Sequence, residues 1–368
     1  MAEKTNPKTW GLISLFLLAV STGGVRAGGT YSGGTGEPNN PYLISDPCDW
    51  LDLMSSSEDW GAHFLLTNNL DLSGQTLALI GTGSIPFTGV FDGNGCVVSN
   101  ANINLPGTNY VGLYGYLGSG GEIHELGLED VNITGDWYVG GLVGENLGTI
   151  SNCSATGLVI GDYFVSGLVG LNYGTISNCY STGSVTGEEL VGGLVGKNSY
   201  DGTISNCYAS GSVTGDYRVG GLVGSNSNSI NNCYATGPVT GDSVGGLVGI
   251  NQDTISNCYS TGPVSGGLLV GGLVGDTCTS SPVIASFWDI ETSGQTSSAG
   301  GTGKTTAEMQ TESPFTDAGW DFVEVWDIGE GQTYPFLRTH PTGDIDYDDR
   351  VDWFDVAILA EYWLEGTQ

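Results

Sequence analysis

The residues best placed to do chemistry lie near the C-terminus. Asp344, Asp346, Asp348, Arg350, Asp352 and Asp355 fall at positions 1, 3, 5, 7, 9 and 12 of a twelve-residue loop. A hard cation such as Ca2+ takes roughly six to eight oxygens, and this spacing wraps carboxylates around one point. Arg350 contributes through its backbone carbonyl, the usual role of position 7. Val351 follows where a residue packs beneath such a loop, and Phe354–Leu364 reads as an exit helix. Asp349 stands at the sixth position, where glycine ordinarily makes the sharp turn. Calcium is the expected cofactor, held by this loop.

Two recurring sets of side chains offer binding chemistry instead. Tyr180, Tyr208, Tyr234, Tyr259 and Trp288 return at near-constant intervals. On one flat face such rings either stack on one another or present themselves to sugar rings. Asp136, Asp162, Glu188, Asp216 and Asp242 recur at Gly-acid turns, where like charges repel and splay into solvent or share cations. A carboxylate pair among them is a possible glycosidase arrangement, but no pair differs from the rest.

Three catalytic patterns fail on closer reading. Gly241-Asp242-Ser243-Val244-Gly245 matches the G-x-S-x-G nucleophile elbow, yet Ser243 has no serine counterpart in neighbouring repeats. Gly301-Thr302-Gly303-Lys304-Thr305 echoes a phosphate loop, but Ser298 stands where the first glycine is required. His63, His124 and His340 are far apart and make no His-Glu-x-x-His. The expectation is a protein that is not an enzyme.

The elements that must carry these residues are spelled out between residues 112 and 288. A Gly-Leu-Val-Gly box begins at Gly141, Gly167, Gly193, Gly221, Gly246 and Gly272, after a diverged copy at Gly112, with starts 25 to 29 residues apart. A period of that size means a stacked array in which each repeat is one supersecondary unit. Ile123, Ile150, Ile176, Ile204, Ile230, Ile255 and Ile284 form one apolar column. Leu126, Cys153, Cys179, Cys207, Cys233, Cys258 and Phe287 form a second, three residues on. Between them stand Glu125, Asn152, Asn178, Asn206, Asn232, Asn257 and Ser286. Strand alternation would send the two apolar columns to opposite faces; a left-handed bend at the Asn column turns both inward. Gly and β-branched residues dominate without a helical period, so each repeat reads as three short strands.

The fold expected is mainly β, a right-handed parallel β-solenoid of about seven coils at roughly 4.8 Å per coil, with its ends capped. The Asn column is expected to bond amide to amide along the axis. The five cysteines of one column should be a ladder of buried free thiols, because parallel Cβ vectors do not suit the disulfide torsion. Cys48, Cys96 and Cys278 lie outside it.

Gly-Leu-Val-Gly followed by Gly-Thr-Ile-Ser-Asn-Cys-Tyr and Gly-Ser-Val-Thr-Gly resembles the GLUG-motif repeat of bacterial surface and secreted proteins. Pro41–Ile44 and Phe87–Gly95 resemble the lead-in such proteins carry, and Ser286–Asp289 through Gly303 their closing segment. The resemblance implies the solenoid strongly and the activity only weakly, since the motif occurs in adhesin-like proteins and beside catalytic domains. The loop from Asp344 resembles half of a type I dockerin repeat, with Asp in the last position and one copy where a dockerin has two.

Composition fixes the setting. Met1–Ala27 reads as a secretory signal peptide, with Lys4 and Lys8 before the apolar run Trp10–Val20 and small residues ahead of Gly28. That run is too short to span a bilayer, and no later stretch is long enough. A formal net charge of −32 excludes nucleic acid as a natural partner. The domains expected are a signal peptide (1–27), a β-rich cap (28–105), the solenoid (106–288), a C-terminal cap rich in aromatics (289–340) and the calcium-loop tail (341–368). The function expected is adhesion, matrix binding or glycan binding, on a secreted or surface-attached rod. A carbohydrate-active β-helix and a structural envelope component are the alternatives.

Overall fold

A computed structural model describes residues 29–278 and 281–338. It is a parallel β-solenoid built on three sheets. Sheet 1 stacks ten strands, from Tyr42–Ile44 to Val283–Ile284, and defines about nine turns. Sheet 3 stacks the seven Val-Gly-x-Asn-type strands, from Tyr114–Leu117 to Val274–Thr277. Sheet 2 consists of nineteen short strands. In the coil that begins at Val195 it contributes three of them, Tyr208–Ala209, Val213–Thr214 and Tyr217–Gly220. The three strands expected per repeat are therefore three sheets, the second broken twice by turns.

The turn count exceeds the expected seven because residues 42–104 build turns of their own. Tyr42, Phe64, Phe91 and Ile123 occupy one register column of sheet 1, so the ladder runs unbroken through the expected boundary near residue 105. The intervals in that column are irregular, which hides the period from sequence. Its inward residues are aromatic where later coils use Ile, and the core there also holds Phe87 and Tyr114. Helix α1 (Pro47–Ser55), capped by Asp46, supplies Trp50 edge-on to Phe91 and Tyr114.

The bend at the Asn column is present. Asn152, Asn178, Asn206, Asn232 and Asn257 have φ between 52° and 53°, and the flanking Ile and Cys columns are both buried. Asn206, Asn232 and Asn257 each donate Nδ2 to the preceding Asn Oδ1, at 3.1 to 3.3 Å. The five column cysteines are free and buried, and the backbone N–H of Cys153 meets Cys179 Sγ at 3.4 Å, a contact repeated at Cys179 and Cys233. Burial holds the thiols of Cys153, Cys179, Cys207 and Cys233 well above the usual range, so they stay protonated and inert.

A second amide ladder was not anticipated. Asn146, Asn172, Asn198, Asn226 and Asn251 end five strands of sheet 3, fully buried, the first four each donating Nδ2 to Oδ1 of the next at 2.8 to 2.9 Å. In low dielectric each such bond is worth more than at the surface, and losing one member strands two partners. The glycines of the repeat box serve close packing. At Gly170 a Cβ would lie 2.6 Å from the carbonyl carbon of Tyr138, whose own φ is 61°. Any side chain at that box position would collide with a neighbouring backbone.

The last coil is shifted by one residue from the sequence reading. Val283 pairs with Ile255, so Ile284 lies outside at 53% exposure and Ala285 takes the left-handed bend. Ser286 stands in the cysteine column, accepting from Cys258 N–H at 3.1 Å, and Phe287 pairs with Tyr259. Trp288 is therefore not in the Tyr column. It faces inward opposite Ser260, 6% exposed, its indole N–H donating to Gln295 O.

The C-terminal segment folds over the array. Thr302–Lys304 pairs with Phe287–Asp289. Helices α2 (Thr306–Met309, with a Thr305/Glu308 capping box) and α3 (Ser313–Thr316) bring Met309, Phe315, Trp320 and Trp326 into a second apolar cluster with Tyr259 and Phe287.

Candidate functional site

The Tyr column is a true ladder. Tyr180, Tyr208, Tyr234 and Tyr259 stack with ring centroids 4.8, 4.8 and 5.0 Å apart and planes within 7° of parallel. Parallel in-register strands impose this spacing, since equivalent residues repeat at one inter-strand distance. Rings stacked this way use their faces on each other and show only edges to solvent. The ladder's two ends differ. At the C-terminal end Tyr259 is 1% exposed, lying among Trp320, Trp326 and Tyr334, with its hydroxyl donating to Pro335 O. Tyr234 also packs against Trp326, and burial pushes its hydroxyl well above the usual phenol range. At the other end Tyr180 is 36% exposed, and its register neighbour is Ser154, followed by Gly127. Among the described residues no ring stacks on the outer face of Tyr180, where its register neighbours Ser154 and Gly127 are small.

The acidic column lies in solvent. Asp162, Glu188, Asp216 and Asp242 are exposed, and their backbone N–H groups bond down the corner, as at Asp216 to Glu188 O, 2.8 Å. Partial dehydration and the adjacent Asp136 raise Asp162 somewhat. No group of three or more His, Cys, Asp or Glu among the described residues is arranged to hold a metal. The calcium-loop residues Asp344, Asp346, Asp348, Arg350, Asp352 and Asp355, and His340, lie outside the described residues. Ser243, the decoy elbow, is 1% exposed within the strand Val239–Gly245.

A third group of aromatics was missed in the sequence. Tyr110, Tyr138 and Phe164 stack at 4.7 Å along the corner leading into sheet 3, all three with φ near 60°. Leu190 and Arg218 take the same left-handed conformation in later coils, so this is a corner of the repeat at which non-glycine residues are held at some cost. Beside them runs the variable position of Gly-Leu-Val-Gly-x-Asn, where Glu145 pairs in register with Tyr116 on one side and Leu171 on the other. Glu145 is only 8% exposed, and its Oε1 accepts from Tyr116 Oη at 3.0 Å. Burial raises the Glu145 carboxyl, and burial together with Glu145 pushes Tyr116 up to about 12. Ser119, Glu145, Leu147, Tyr173 and Asp201 line a depression at this place.

Known proteins share the repeat and the fold. The GLUG motif matches residues 135–160, 167–186, 187–214, 215–240 and 240–265, so the chain carries GLUG repeats; the lead-in and closing segments lie outside these matches. Over 136 residues, 34% of this chain, it is 37% identical to Halomucin of Haloquadratum walsbyi. Over 133 residues it is 35% identical to a protein of Evansella cellulosilytica provisionally named a Gly-rich membrane protein. The matches span only 2% and 15% of those two relatives. Among solved structures, one from Bacteroides ovatus provisionally named an immunoglobulin A1 protease superposes with a TM-score of 0.58 at 24% identity, covering 84% of this chain and 95% of that one. A second, named IgA1 protease, gives 0.51 at 14% identity, covering 84% of this chain and 26% of the other. At these identities the similarity is one of fold.

Proposed function

We propose that this chain is a non-enzymatic secreted or cell-surface β-solenoid that binds a neutral glycan at the open end of its tyrosine ladder. The observation that carries the reading is the asymmetry of the ladder. One end is sealed by Trp320 and Trp326, while Tyr180 presents an uncovered ring face above Ser154 and Gly127. An aromatic face beside a small-residue shelf suits the apolar face of a pyranose. A net charge of −32 disfavours polyanionic glycans by long-range repulsion. The surface setting is supported by the repeat it shares with Halomucin and the Gly-rich protein, and by the leader expected over residues 1–27. No described helix is long and apolar enough to cross a membrane.

The test is a glycan array probed with the chain and with the double variant Tyr180→Ala/Tyr208→Ala, which removes the terminal ring and the one stacked beneath it. Binding to a neutral glycan that disappears in the variant is the expected result; binding that persists would place recognition elsewhere. The tail from Gly343 is proposed to hold Ca2+ and serve as an attachment device, on the strength of its ligand spacing. Calcium titration by calorimetry, with and without that tail, should show uptake only in the longer chain.

A further inference from the structure

Among the described residues Glu145 is the one buried carboxylate whose burial serves no fold requirement evident in its neighbours. The equivalent positions in other coils hold Tyr116, Leu171, Lys197, Ser225, Ile250 and Asp276, so the sheet does not need an acid there. A buried carboxylate is costly unless a cation or several donors satisfy it. Glu145 has one donor, Tyr116 Oη; among the described residues no Lys, Arg or His forms an ion pair with it, and its Oε2, which makes no hydrogen bond, is open to solvent at the depression. Its carboxylate lines the depression shared with Tyr173, 37% exposed, and Asp201. Tyr110 stands 6.1 Å from Tyr116, tilted by 58°, and stacks on Tyr138, giving the neighbourhood walls of π-surface.

From this we infer that the depression around Glu145 is a binding site for an organic ammonium group, with Glu145 as its counter-ion and Tyr173 as its aromatic wall. Aromatic rings attract a diffuse cation through the ring quadrupole, and a partly buried carboxylate adds a full opposite charge. A hard metal ion fits less well, because it wants six or so oxygens and the site offers Glu145, Ser119 and the rim carboxylate of Asp201. The ammonium chemistry is common to choline-type headgroups and to amino sugars. The site is on sheet 3, apart from the Tyr180 shelf, and does not rest on the glycan reading.

Calorimetric titration of the full chain with choline, with glucosamine and with uncharged N-acetylglucosamine tests it. Saturable binding of at least one ammonium compound, and none of N-acetylglucosamine at this site, is expected. Choline alone, glucosamine alone, or both, then identifies the source of the ammonium group. Glu145→Gln, which keeps shape and the Tyr116 contact, should weaken binding at least tenfold, and Tyr173→Ala should weaken it severalfold. Circular dichroism should show both variants folded, since neither residue lies in the inner core. If neither ammonium compound binds, or if Glu145→Gln binds as tightly as the parent, the inference is wrong.

Discussion

Two aromatic columns run along this rod and behave differently. The Tyr180–Tyr259 column is uniform, and its rings satisfy one another, so most of its surface is unavailable to a ligand. The corner column around Tyr110 and Tyr138 borders a variable position, and there a single acid is largely buried and hydrogen-bonded by Tyr116. Both proposed sites fall where the uniformity of the stack ends: the open end of the Tyr column, and the coil of the corner column that carries Glu145.

Five substitutions sharpen this contrast, from the largest effect to the smallest. Trp326→Ala removes a fully buried ring from the C-terminal cluster and should cost about 3–5 kcal/mol. Hydrogen exchange should show residues 306–338 opening while the inner coils stay protected. Asn198→Ala cuts the buried amide ladder in the middle, leaving Asn172 Nδ2 and Asn226 Oδ1 each short of a partner. The expected loss is about 2–3 kcal/mol, read by denaturant unfolding. Tyr208→Ala breaks two ring stacks where Tyr180→Ala breaks one, at roughly 0.5–1.5 kcal/mol per stack. The interior substitution should therefore destabilise about twice as much; equal losses would show that stacking is not what holds the column.

The smallest effect has the opposite sign. Burial raises the folded-state pKa of Glu145, so its ionised form is disfavoured in the native protein. A carboxyl with a raised folded pKa gives its full stability below its unfolded pKa and loses it as pH rises through the folded value. Glu145→Gln should therefore raise the unfolding midpoint slightly at pH 7, and the gain should vanish as pH falls below the ordinary carboxylate range. A variant that is more stable yet binds ammonium poorly is the expected signature of a site that trades stability for function.

Much of the fold was legible because the array writes each structural requirement many times over. The Asn bend followed from two apolar columns three residues apart, and the thiol ladder from Cβ geometry. Trp288 was misplaced because both Val283 and Ile284 suit an inward position, and only the left-handed Ala285 settles the register. The buried amide ladder was readable in principle: Asn146, Asn172, Asn198, Asn226 and Asn251 all stand two residues after the box. Glu145 was not readable, since a variable position looks like solvent. Its surroundings come from other coils: Tyr116 and Leu171 flank it in register, and Tyr116 hydrogen-bonds it.

The central claim is that the ligand meets the uncovered face of Tyr180 rather than the ladder's edge. Ser154→Arg tests it most directly, because the register places an arginine there against that face, where a guanidinium stacks readily. Isothermal titration with a glycan identified on the array should show binding abolished in this variant, with the unfolding midpoint unchanged or raised. Undiminished affinity in a folded Ser154→Arg protein would contradict the account.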